Sequence, residues 1–213
     1  MQRVSSIPLT ILLGLTLAIP ACFADDIAVV PGSNGFQNDA WNGNVTIGWQ
    51  FTLSAPVTVT ELGFFDANGS EGLFDSHPVG IWSASGTLLG SATVPAGSVG
   101  TLDGFSFVAV TPFTLDAGMY TIGSYGNEDS PDQFQFGLSG STAIPGLAIG
   151  NGVQSAFGPT TLTLPSQVND FAAQGYFGPD FMVGAATATP EPGTLMLLGS
   201  FLGLGGLLRR RKQ

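Results

Sequence analysis

Thr46-Ile47-Gly48-Trp49-Gln50-Phe51-Thr52-Leu53 alternates without a break: Ile47, Trp49, Phe51 and Leu53 fall on one side, and Thr46, Gly48, Gln50 and Thr52 on the other. A period of two is that of a half-buried strand, whereas a helix would space its apolar residues by three and four. Val57 to Phe65 starts with the same period at Val57 and Val59 and then shifts to Leu62 and Phe64. A bulge near Thr60-Glu61 is the simplest account of that shift, and Pro56 separates the two strands. Pro78 to Ala84 and Thr87 to Val94 flank Ser85-Gly86 and read as a hairpin. Phe105 to Val110 and Met119 to Ser124 form a further pair joined through Pro112-Phe113 and Asp116-Ala117-Gly118. Shorter strands are expected at Ile27 to Val30, Phe134 to Leu138, Leu162 to Leu164 and Asp180 to Val183, with loops or an irregular subdomain over residues 139 to 169. Strands at this spacing, with turn residues every ten or so positions and no helical periodicity, predict an all-β antiparallel β-sandwich or jelly roll over residues 25–184.

Outward from this body, both ends of the chain are apolar. Arg3, the run from Ile7 to Pro20 and the small-x-small pattern Cys22-Phe23-Ala24 describe a secretory signal peptide over residues 1–24, cleaved after Ala24 by signal peptidase. The alternative is a lipobox at Ile19-Pro20-Ala21-Cys22 that would make an acylated Cys22 the first mature residue, but the proline suits it poorly. Cleavage after Ala24 discards the one cysteine and leaves no disulfide.

At the other end, a small uncharged linker (residues 185–189) leads to Pro190-Glu191-Pro192. An apolar run from Thr194 to Leu208 follows, and then Arg209-Arg210-Arg211-Lys212. The prolines keep Glu191 on extended backbone. The run would rise about 22 Å as a hydrophobic helix, short against roughly 30 Å of hydrocarbon. Four cations resist transfer through lipid, so this stop-transfer segment holds the preceding residues outside the cytoplasm. Residues 190–213 resemble the tripartite tail of the PEP-CTERM proteins of Gram-negative bacteria. The resemblance implies recognition and removal by exosortase, an integral-membrane cysteine transpeptidase, in organisms that make extracellular polysaccharide. It implies export across the inner membrane, transient membrane anchoring and then a cell-surface or extracellular location.

Residues 25–190 contain neither lysine nor arginine and hold 14 of the 15 acidic residues. Nucleic acid is excluded as a partner, because binding it requires cations that displace phosphate counterions. Anionic headgroups and acidic polysaccharides are disfavoured for the same reason.

Within the body, Val59 to Phe65, Gly80 to Ala92 and Leu115 to Tyr120 also resemble a recurring jelly-roll domain of unknown function in bacterial exported and glycan-associated proteins. That resemblance supports the fold rather than a ligand.

Catalytic chemistry is sparsely provided. His77 precedes Pro78 beside Asp75 and Ser76 and is expected to be an exposed turn residue, and no catalytic residue is assigned. Glu61, Glu71 and Glu128 could supply the paired carboxylates of a glycoside hydrolase only if the fold brings two together. Calcium is the better chemical idea, with oxygen ligands from Asp66 and Asn68 in one cluster and Glu128, Asp129 and Asp132 in a second, although both also suit solvated turns. Trp49 is expected in the core, whereas Trp82 is the candidate for an exposed sugar-stacking ring. The sequence therefore describes a non-enzymatic exported surface or matrix protein associated with exopolysaccharide or biofilm. A carbohydrate-binding module, calcium-dependent in one version, is the first alternative and a glycoside hydrolase the second.

Overall fold

The computed structural model describes residues 25–32, 37–39, 41–136, 141–168 and 176–184. The signal peptide, linker, sorting motif and basic tail inferred from sequence lie outside them. Among the described residues no helix is long and apolar enough to cross a membrane. The described body is all-β and antiparallel.

Two sheets face each other in a sandwich-like arrangement. The larger has six strands in the order Gln167–Val168 (β13), Leu147–Gln154 (β12), Val45–Leu53 (β4), Gly118–Gly126 (β9), His77–Ser83 (β6) and Leu88–Val94 (β7). The smaller has four, in the order Asp26–Ile27 (β1), Pro179–Val183 (β15), Val57–Phe65 (β5) and Phe105–Leu115 (β8). Tyr176–Phe177 (β14), Phe134–Phe136 (β10) and Gln37–Asp39 (β3) form a three-stranded ladder, and Val29–Val30 (β2) pairs with Thr142–Ala143 (β11). A short 3-10 turn covers Gly69–Glu71.

The alternation in β4 places Ile47, Trp49, Phe51 and Leu53 in the core, each buried. Trp49 stacks on Phe177 and Phe181 at ring-centroid separations of 5.1 and 6.3 Å, and Phe51 meets Phe181 at 5.1 Å. The Trp49 indole Nε1–H donates to the Pro179 carbonyl at 2.9 Å. One side chain of the large sheet thereby satisfies its buried donor on a strand of the small sheet, fixing how the two are aligned.

The pairing of β5 slips between Val59 and Glu61, where the sequence predicts a bulge. The predicted hairpin is present too, closed by Ser83 N–H to the Thr87 carbonyl at 2.9 Å. Strand β8 runs on through Pro112 to Leu115, beyond the expected end at Val110. Proline is tolerated there because β8 is the edge of its sheet.

Residues 141–168 are loop for the most part, as expected, but β12 runs within them beside β4, where an irregularity between Ile149 and Gly152 hides its period. One expectation fails. Leu162 to Leu164 is not a strand. It belongs instead to a segment that crosses the outer face of the large sheet. Thr163 N–H donates to Thr46 Oγ1 at 3.1 Å, Leu162 lies over Gly80 and Pro165 over Gly123. A Cβ at Gly123 would stand 2.8 Å from the Pro165 ring, so the glycines of adjacent strands make room for the crossing.

Replacing Trp49 with Phe removes both the indole and its bond to Pro179. The expected loss is about 2–4 kcal/mol of unfolding free energy, read from urea denaturation.

Candidate functional site

Four of the residues singled out in the sequence, Asp66, Asn68, His77 and Asp132, assemble around one buried polar node. His77 opens β6, where it shares the inward register of Val79 and Ile81, and it is 1% exposed. The expectation of an exposed turn residue is overturned, because the same period of two that buries Val79 carries His77 inward. Its ring stacks on Phe64 of the opposite sheet at 3.8 Å and 11°, with Trp41 beyond at 5.9 Å.

His77 Nε2–H donates to Asp132 Oδ2 at 3.0 Å, the two forming a buried ion pair when the imidazole is protonated. Asp132 Oδ2 also accepts from Asp75 N–H at 2.8 Å. Its Oδ1 accepts from Phe74 N–H at 2.9 Å and from Asn68 Nδ2 at 2.7 Å. A carboxylate offers about four acceptor positions, so those of Asp132 are filled by the protein itself. Burial alone would lift the Asp132 carboxyl. The hydrogen bond from His77, the N–H groups of Phe74 and Asp75 and the attraction of the imidazole outweigh it and hold the group below the ordinary carboxylate range.

Asp66, 5% exposed, is joined to the same node. Its Oδ1 accepts from Asn68 N–H at 2.8 Å and its Oδ2 from Gly100 N–H at 2.9 Å. Asp66, Asn68 and Asp132 therefore meet, but as acceptors and donors for one another and for three loops. Glu128 and Asp129 stay exposed in the turn after β9, where Asp129 N–H donates to Asn127 Oδ1 at 2.9 Å. Among the described residues no three His, Cys, Asp or Glu side chains form a metal-holding group. Glu61 sits within β5, Glu71 in the 3-10 turn and Glu128 beyond β9, on three separate elements. Burial, and secondarily the charge of Asp25, raises the Glu61 carboxyl.

Trp82 is buried, contrary to the expectation of an exposed ring. It does lie on the outer face of β6, but its ring runs over Gly80, where Leu88 and Leu162 converge on it. The crossing segment, which no local pattern announces, provides the cover. Beside it an open groove of about 600 Å3 separates Thr160–Leu162 from the outer face of β6 and β7, with Tyr125 in its lining.

Sequence reading missed Asp180. Alternation with Phe181 puts it on the outer face of β15, yet it is fully buried. Phe181 N–H donates to its Oδ1 at 2.7 Å and Val29 supplies a second backbone bond, while Oδ2 has no partner among the described residues. Burial raises this carboxyl well above its ordinary value despite those two bonds, which favours its neutral form.

Residues 30–177 match the model of a domain of unknown function (DUF4082), and residues 188–212 match the PEP-CTERM protein-sorting motif. The first match covers more than half of the 213 residues. The second implies export and sorting to the cell surface or extracellular space, with exosortase as the processing partner. No curated protein matches the chain.

Asp132→Ala strands the donors of His77, Asn68, Phe74 and Asp75 and should cost about 3–5 kcal/mol in chemical denaturation at pH 7. Because the folded carboxyl lies below its unfolded value, that deficit is full above about pH 4 and fades as pH falls through the folded value. Asp180→Asn carries the opposite sign. A raised carboxyl loses stability as pH climbs above about 4, so the variant should match or exceed wild-type stability at pH 7 and flatten the unfolding free energy between pH 4 and 7.

Proposed function

The chain belongs to the DUF4082 family and ends in a PEP-CTERM sorting motif, and from that premise we propose that it is a non-catalytic surface or matrix protein of an exopolysaccharide-producing cell. Signal peptidase cuts after Ala24, the segment Thr194 to Leu208 holds the chain briefly in the inner membrane, and exosortase severs the tail near Pro190-Glu191-Pro192. The observation that carries this reading is the motif itself, in which Glu191 stands between two prolines ahead of an apolar run and four cations.

The body supports a role without catalysis. Enzymes hold a poised acid or base where substrate can reach it. Here the one histidine is buried against Phe64 and bound to a carboxylate whose acceptor positions are occupied. Asp180, whose carboxyl burial raises well above its ordinary value, is fully buried and bonded to the backbone of Phe181 and Val29. Acidic carboxylates on the surface keep such a protein soluble and repel other anions in the matrix.

Intact mass of the protein from producing cells should correspond to a chain that starts at Asp25 and ends near residue 191. Glu191→Ala should leave the apolar tail attached and the protein in the membrane fraction. Wild-type protein found in the cytosol with Met1 and Gln213 both retained would overturn the proposal.

A further inference from the structure

We propose that the groove between the outer face of β6 and β7 and the crossing segment at Thr160–Leu162 binds a neutral polysaccharide chain. This rests on the matrix-protein reading for its setting and on the chemistry of the groove for its ligand.

The distribution of charge is the first observation. Residues 76–102, 117–127 and 133–169 contain no Asp, Glu, Lys or Arg. All six strands of the large sheet come from these stretches and from the equally uncharged β4, so apart from the buried His77 that sheet carries no ionisable Asp, Glu, Lys, Arg or His side chain. The small sheet, by contrast, carries Asp26, Glu61 and Asp180. None of the body's 14 carboxylates thus lies on a strand of the large sheet.

The second observation is the lining. The groove, of about 600 Å3, has no charged side chain but five Ser and Thr hydroxyls, among them Ser91, Thr93 and Thr160, beside the apolar surfaces of Tyr125, Leu88 and Leu162. Tyr125 is half-buried, and its hydroxyl donates to Asn44 Oδ1 at 3.4 Å. A pyranose presents a C–H face that packs on an aromatic ring and a rim of hydroxyls that exchange hydrogen bonds with Ser and Thr. A uronate or phosphate would find no cation here and would meet the field of the surrounding carboxylates. The opposite wall is formed in advance, because Thr163 is bonded to Thr46 and Leu162 and Pro165 are seated over glycines. Little ordering is left for binding to supply.

The test uses protein purified from producing cells, from the medium or from membranes, titrated calorimetrically with neutral glucose and galactose hexasaccharides and with oligogalacturonate. At least one neutral hexasaccharide should bind with Kd of about 1 mM or tighter, and the uronate at least about tenfold more weakly. Tyr125→Ala should weaken the neutral ligand about tenfold. Thr93 is exposed on β7, so Thr93→Trp should fill the groove and abolish binding while leaving thermal unfolding unchanged. Absence of neutral-ligand binding up to about 10 mM, equal binding by folded Thr93→Trp, or equal binding of the uronate would overturn the proposal. These readouts do not depend on tail removal, so they fail separately from the mass measurement that tests sorting.

Discussion

A body with 14 carboxylates and neither lysine nor arginine must satisfy its buried acids without ordinary salt bridges, and that constraint organises the structure. Asp66, Asp132 and Asp180 are all buried, and each draws on backbone N–H groups. Asp132 adds the imidazole of His77, and its carboxyl lies below the ordinary range; Asp180 has one oxygen without a partner among the described residues, and burial raises its carboxyl. The difference follows from the number of donors, since a carboxylate stays charged in a poor solvent only when hydrogen bonds replace its water. Asp132 consequently ties β6 to the loops through Asn68, Phe74 and Asp75, a task that a lysine or arginine could share in a chain that had one.

The same constraint divides the two sheets. Apolar contact between them is rich in rings, with Trp49 and Phe51 on one side and Phe181 on the other, and Phe177 of the adjoining strand β14 stacks on Trp49 as well. Directional bonds across the interface are few, and the Trp49 to Pro179 bond sets the alignment. With no acidic residue on any of its strands, the outer face of the larger sheet can accept a close covering by its own chain. Residues near Leu162 and Pro165 lie directly on Gly80 and Gly123, and the covered Trp82 becomes a second, outer packing site.

Much of this was legible in the sequence wherever the controlling interaction is local. The period of β4, the bulge in β5 and the glycine turn before Thr87 are all decided by residues within a few positions of one another. Strand β12 was obscured because Gly150 and Gly152 break its alternation, and its pairing with β4 comes from tertiary context. The burial of Trp82 and Asp180 is hidden from the sequence for a related reason. Alternation places each on an outer face correctly, but burial comes from segments distant in the chain, near Leu162 in one case and Val29 in the other. His77 differs: its inward register with Val79 is local, although Asp75, Ser76 and Pro78 beside it carry the signature of a turn. The sequence puts Asp66 and Asn68 in one oxygen-rich cluster and Asp132 in another with Glu128 and Asp129; only the three-dimensional donor set joins Asp132 to the first cluster and reveals that their acceptor capacity serves the protein.

A fold built in this way depends on burial and internally satisfied acids, while its exposed carboxylates repel one another. The most direct measurement is the thermal unfolding midpoint of the purified protein as sodium chloride is raised, with and without a divalent-metal chelator. Screening of the surface repulsion should raise the midpoint, and chelation should leave it unmoved. A midpoint that falls with added salt or on chelation would contradict it, because ion pairs or bound cations would then be holding the structure together.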